Sequence, residues 1–291
     1  MARRPRYLAL SLVRGRLRLA THDGRPADFL GRKGLAREGK FRAPPVVMVH
    51  GFRYHSASAD TDNAHRSTFR HWRTDILSSR HTIGYAWWSC PGGMFSPFRH
   101  ASSVATAWCH GRYNTYRYAW DLAAAAGWQL ERSIAMMQIG KPIDVVAHSL
   151  GSRVVLAALR ANPDLPVRRV VLLNGAELSR SAHETALLCP KVRFINMMVA
   201  TDDVLRIFGS LFAPGGLYAP CVGRAGLGEA APKNWLDVQL DSPALQRWAA
   251  DHGWPDVQGD NPKCALDHWF SHKHPGNWPL IRAALDGTLP K

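Results

Sequence analysis

Val145-Val146-Ala147-His148-Ser149-Leu150-Gly151 is the stretch that most restricts what this chain can fold into. An apolar run, Ile143 to Val146, stops at a small residue, and the helix-forming run Arg153 to Arg160 follows Gly151. Strand, sharp turn and helix is the reading, with Ser149 at the tip. The pattern is G-x-S-x-G, a nucleophile elbow, with Ala147 in the first glycine position. So tight a turn needs small residues on both sides, because a large Cβ would strike the neighbouring strand or helix. The serine is expected in a strained conformation that lifts its Oγ off the sheet. The bland alternative is an ordinary turn with a bystander serine. The pattern alone is weak, but between a buried strand and a helix it is specific.

Other short apolar runs read as buried strands: Val46 to Val49, Ile83 to Trp88, Val170 to Asn174, Phe194 to Val199 and Trp235 to Leu240. Helical patterns lie at Ala64 to Ser78, Tyr116 to Gln138, Ser242 to His252 with Ser242 as N-cap, and around Trp278 to Leu285. In the long helix, Trp120, Ala124, Trp128 and Ile134 recur at helical spacing as core candidates, and Gly127 interrupts the run. Tyr7 to Val13 and Arg16 to Leu19, around Arg14-Gly15, read as an antiparallel hairpin at the sheet edge. Strands alternating with helices predict an α/β fold, a mostly parallel central sheet with helices on both faces. Residues 1–291 form one domain on this reading. Within it, 206–234 is a lid or a simple excursion, and Ser89 to Asn114 is an aromatic loop bordering a ligand crevice.

Composition narrows the function classes. The chain is 46% hydrophobic and 20% charged, as a globular protein is, and no apolar run is long enough to span a membrane. Arg14, Arg16 and Arg18 break any signal-peptide core after the basic N-terminus, which reads as mature sequence. The net charge of +15 invites a nucleic-acid partner, but the arginines are scattered and form no dense run, so no specific nucleic-acid binding is expected. Five spread cysteines without zinc spacing point to no metal, and to reduced thiols in a cytoplasm.

A serine hydroxyl is a poor nucleophile until a base takes its proton, and a histidine base needs a carboxylate to fix its tautomer. In elbow-bearing chains the acid follows a late strand and the histidine sits near the C-terminus. Asp202 meets the first requirement, with Asp203 and Glu177 as alternatives. His268, between Leu266-Asp267 and Trp269-Phe270, meets the second, with His272 and His274 as alternatives. His148 adjoins the nucleophile but points off the elbow, where it shapes the pocket or packs. His50-Gly51-Phe52, after the first buried strand, suits an oxyanion hole made by the backbone N–H groups of Phe52 and Leu150.

These residues resemble the α/β-hydrolase superfamily, in its lipase/esterase-like branch. The resemblance rests on Val46 to Phe52, Asp144 to Gly151, Thr201 to Leu205 and Asp267-His268. More loosely, the chain is similar to uncharacterised bacterial α/β hydrolases with a Trp-containing strand, here Tyr85 to Ser89, and a Tyr/Ala-rich helix, here Tyr113 to Leu130. It departs in Ala147 and in the long gap between Asp202 and His268. The resemblance implies a cofactor-free serine hydrolase acting on a small-molecule carboxylic ester. A thioesterase or acyltransferase would use the same residues, and an inactive basic binding module is the non-enzyme alternative.

Overall fold

The structure is a computed structural model that describes residues 7–13, 16–20, 43–52, 54, 64–65, 67–89, 115–137, 141–209, 220–262, 264 and 266–290. Its strands are β1 (Tyr7–Val13), β2 (Arg16–Ala20), β3 (Val46–Val49), β4 (Thr82–Ala86), β5 (Ile143–His148), β6 (Val167–Leu173), β7 (Arg193–Met198) and β8 (Trp235–Gln239). Its helices are α1 (Thr68–His71), which runs on into a π-helical turn at Trp72–Ile76, then α2 (Thr115–Met137), α3 (Gly151–Ala161), α4 (Ser179–Leu188), α5 (Val222–Ala225), α6 (Pro243–Asp251), α7 (Phe270–Lys273) and α8 (Trp278–Asp286).

The apolar runs explain the layers. Successive side chains of a strand point to opposite faces, so a run with no polar break needs cover on both. Val47, Val49, Val145, Ala147, Val170, Leu172 and Phe194 enter one core, with α2, α3 and α4. Their neighbours Val46, Met48, Val146, Val171, Leu173, Ile195 and Met197 enter the other, with α1, α6 and α8. Each such fully buried aliphatic side chain stabilises the fold by about 1.5–3 kcal/mol. The strands form one sheet in the order β2-β1-β4-β3-β5-β6-β7-β8. Seven of them, β1 and β3 to β8, run parallel, and β2 pairs antiparallel with β1. The molecule is thus the α/β fold that the alternation predicts. Among the described residues no helix is long and apolar enough to cross a membrane.

Three expectations need correction. Trp128 is 63% exposed and Ala124 only partly buried. The buried line of α2 is Trp120, Ala123, Leu130, Ile134 and Met137, because 3.6 residues per turn carry position 128 round to solvent. Gly127 does not interrupt α2 either; a Cβ there would lie 2.6 Å from Ala157 Cβ and 2.7 Å from Val154 O, so its missing side chain is what lets α2 press against α3. In the described part of 206–234, read above as a lid or a simple excursion, residues 222 and 223 are hydrogen-bonded to neighbouring segments. Val222 N–H donates to Glu177 O, Gly223 N–H to Gly175 O, and Val199 N–H to Gly223 O. Residues 210–219 lie outside the described residues, as does most of the aromatic loop Ser89 to Asn114. The predicted helix from Ala64 is helical only from Thr68, while α4 and α7 add helices that the sequence reading does not contain. Ser242 does cap α6, accepting from Leu245 N–H at 3.5 Å.

At the amino end of β5, Asp144 is fully buried and takes two guanidinium groups. Arg80 Nη2 donates to Asp144 Oδ2 at 2.7 Å, and Arg168 donates through Nε at 3.0 Å and Nη2 at 2.7 Å. Arg80 also reaches Asp286 at the end of α8.

Candidate active site

β5 ends at His148, and Ser149 follows in the left-handed region at φ 52°. A residue with a Cβ stays there only when its surroundings hold it. Here they do: Ser149 N–H donates to Leu173 O at 3.0 Å, and Ser149 O accepts from Ser152 N–H and Ala176 N–H, each at 3.0 Å. A Cβ at Gly151 would lie 2.6 Å from the carbonyl oxygens of Val49 and His50, so the elbow glycine is a demand of strand packing. Ser149 keeps 6% of its surface exposed.

His268 and Asp202 meet although 66 residues separate them. His268 Nδ1–H donates to Asp202 Oδ2 at 2.6 Å, with both side chains almost wholly buried. Burial alone raises a carboxylate's pKa. For Asp202 this is outweighed by the His268 charge and hydrogen bond, the Leu205 N–H and the Asn174 amide, which together bring it down to about 2. His268 Nε2 is buried and takes no hydrogen bond among the described residues. The loop of His268 is tied to the elbow by His148, whose Nε2–H donates to His268 O at 3.2 Å and whose ring centroid lies 4.7 Å from that of His268.

On the other side of Ser149, a Cβ at Gly51 would stand 2.7 Å from Ser149 Cβ, which places the His50-Gly51-Phe52 turn against the nucleophile candidate. His50 and Trp87 hold that turn. Trp87 N–H donates to His50 Nε2 at 3.0 Å and Trp87 Nε1–H to His50 O at 2.9 Å, with the two rings stacked at 5.7 Å. His50 Nδ1–H donates to Gly51 O at 2.8 Å. Burial drives the His50 pKa down to about 3, so its ring is a neutral strut. Phe52 packs edge-on against Tyr116 of α2, with centroids 5.4 Å apart. Leu150, which directly follows Ser149, is fully buried.

The alternative residues fall elsewhere. Glu177 is fully buried and held by Arg153 and Arg160, with Arg153 Nη1 at 3.0 Å; Arg153 in turn stacks over Trp120. Asp203 pairs with Arg206 on its own turn. His274 bonds Asp256 O at 2.8 Å. His272 is engaged by other rings: its Nδ1 accepts from Trp72 Nε1–H at 3.1 Å, and its ring meets that of His148 at 4.6 Å. Burial, with other histidines around them, holds His148 and His272 well below the ordinary histidine range. Among the described residues no group of side chains could hold a metal ion.

Asn174 is the residue the sequence reading misses. It sits just past β6 at φ 47°, and its Nδ2–H donates to Asp202 Oδ2 at 2.7 Å. The available signal is Asn174-Gly175 directly after an apolar strand, a pair that favours left-handed turns. A scan against protein-family models and a search of curated proteins each found no match to this chain.

Proposed function

We propose that this chain is a serine hydrolase of the α/β-hydrolase superfamily, lipase/esterase-like, that cleaves carboxylic esters through an acyl-enzyme. The observation that carries the reading is the buried 2.6 Å hydrogen bond from His268 to Asp202, tied through His148 to a strand end whose next residue is a left-handed serine. In this reading Ser149 Oγ attacks the ester carbonyl carbon and its proton passes to His268 Nε2. Asp202 keeps the proton on Nδ1 and stabilises the imidazolium. The carbonyl oxygen, now negative, is met by the N–H groups of Phe52 and Leu150. Collapse breaks the ester bond, and His268 gives its proton to the departing alcohol. Water then attacks the acyl-enzyme, its proton goes to His268, and the acid leaves as Ser149 recovers its hydrogen. A serine hydroxyl and an imidazole suffice for each step, so no cofactor or metal enters.

The reading extends to a cytoplasmic protein with a small-molecule substrate and no specific nucleic-acid partner. Free thiols at Cys189, Cys221 and Cys264 fit a reducing compartment. The test is covalent. A fluorophosphonate probe is expected to label the purified protein at Ser149, and the same preparation to turn over p-nitrophenyl acyl esters. No label and no turnover would favour the inactive binding module, and faster turnover of acyl-CoA than of oxygen esters would favour the thioesterase.

A further inference from the structure

Asp202 has one side-chain partner that the proposed reaction does not use. Its Oδ1 accepts from Leu205 N–H at 3.0 Å, but its Oδ2 accepts twice, from His268 Nδ1 at 2.6 Å and from Asn174 Nδ2 at 2.7 Å. Asn174 is 2% exposed, so this amide has no solvent to turn to. Its backbone is equally engaged. The peptide unit joining Leu173 to Asn174 accepts from Ser149 N–H through its carbonyl, and its own N–H donates to Met197 O at the end of β7, both at 3.0 Å. Ser149 and Asn174 are also the two non-glycine residues with positive φ among the described residues, and they sit past the ends of adjacent parallel strands. Leu173 therefore bonds the nucleophile's turn through its carbonyl, and Asn174, across the same peptide unit, bonds the acid through its side chain.

We propose that Asn174 is a positioning residue, one that locks Asp202 to the nucleophile's turn and limits how much carboxylate charge reaches His268; this rests on the serine-hydrolase reading above. An amide suits the task because it donates to the carboxylate without titrating. A donor on a carboxylate favours its charged form and takes up part of that charge. Remove it, and Oδ2 answers only to the imidazole. The histidine then holds its proton more strongly, while the carboxylate loses the bond that fixes its plane. Asparagine also tolerates the left-handed conformation that the turn requires.

Asn174→Gly separates the two duties, since glycine keeps the left-handed backbone and drops only the amide. The expected result with p-nitrophenyl acetate is a kcat lower by about tenfold at unchanged KM. The acid limb of kcat/KM is expected to move up by about half to one pH unit. A residue that merely turns the chain would leave both unmoved, and that result would overturn the proposal. Asn174→Asp carries the test if the glycine variant does not fold: it matches asparagine in shape but faces Asp202 with a like charge, so its expected loss exceeds tenfold, and wild-type activity there would overturn the role. A readout free of turnover keeps the two readings apart. The low-field proton resonance of the His268 Nδ1–H···Asp202 bond is expected to shift in Asn174→Gly, even in a protein that hydrolyses no ester. No turnover by the wild type would sink the hydrolase reading, and an unshifted resonance would sink the role of Asn174.

Discussion

The parallel strands β5 to β7 carry a buried carboxylate toward each of their two ends, Asp144 in β5 and Asp202 past β7, and the two are built to opposite rules. At the amino end Asp144 is fully buried between the guanidinium groups of Arg80 and Arg168. Beyond the carboxyl end Asp202 is almost as buried, but its partners are an imidazole, an amide and a backbone N–H. A guanidinium is always charged in a protein, so the first cluster is an ionic clamp that ties β5, β6 and helix α8 together. On the proposed reading, the imidazole of the second cluster takes up and returns a proton. Burial is common to both; what separates them is whether the partner is a fixed cation or a ring that, on that reading, exchanges a proton.

The same substitution at the two ends breaks or sharpens that contrast. Asp202→Asn is expected to lower kcat toward esters by about 10,000-fold, since an amide cannot hold the imidazolium or its tautomer. Its effect on unfolding should be the smaller of the two. Asp144→Asn is expected to cost about 3–5 kcal/mol of stability in urea unfolding, because Arg168 loses its counter-charge and Arg80 keeps only Asp286, while kcat per folded molecule stays at the wild-type value. If the two variants exchange these phenotypes, the contrast between the ends is wrong.

Acid should attack the carboxyl end first. His50, His65, His148 and His272 all have folded pKa values lowered by burial, so the unfolded chain takes up protons that the fold refuses. Their contribution is whole above pH 6.5 and is lost as pH falls below it, at about 1.4 kcal/mol per pH unit for each. Asp202 acts lower down. Its folded pKa of about 2 lies under the ordinary 3.8, so its contribution is present above 3.8 and is lost as pH falls through 2. Urea unfolding at pH 7, 6 and 5 should show the loss, and His272→Gln should make it shallower. The smallest effect belongs to Arg168→Ala. Arg168 is 36% exposed and Arg80 still pairs Asp144, so a loss of about 1 kcal/mol is expected. A loss equal to that of Asp144→Asn would mean that Arg80 alone does not hold the carboxylate.

How much of this was legible in sequence follows from how local each cause is. The elbow was legible because its strand, small residue and helix are contiguous, and the backbone at Ser149 has the left-handed φ the motif demands. The central strands were legible because runs buried on both faces carry no polar break. Asp202 and His268 were selected by their place after strands and near the C-terminus, and the fold brings them together. Asn174 was not selected, because its bond to Asp202 spans 28 residues and leaves only a turn signal behind. Trp128 was misplaced because steps of four residues from Trp120 through Ala124 each advance the helix phase by about 40°, and the second step carries position 128 out to solvent.

The hydrogen bond between Trp72 and His272 joins residues 200 apart in the chain. The elbow, by contrast, assembles within one contiguous strand-turn-helix unit. Closing so long a span is slow compared with forming neighbouring elements. A refolding molecule should therefore regain the β5–α3 amide protection of its serine turn early and its chemical competence late. The lag between hydrogen-exchange protection at Val145 to Ala147 and probe labelling at Ser149 would time the arrival of the histidine loop.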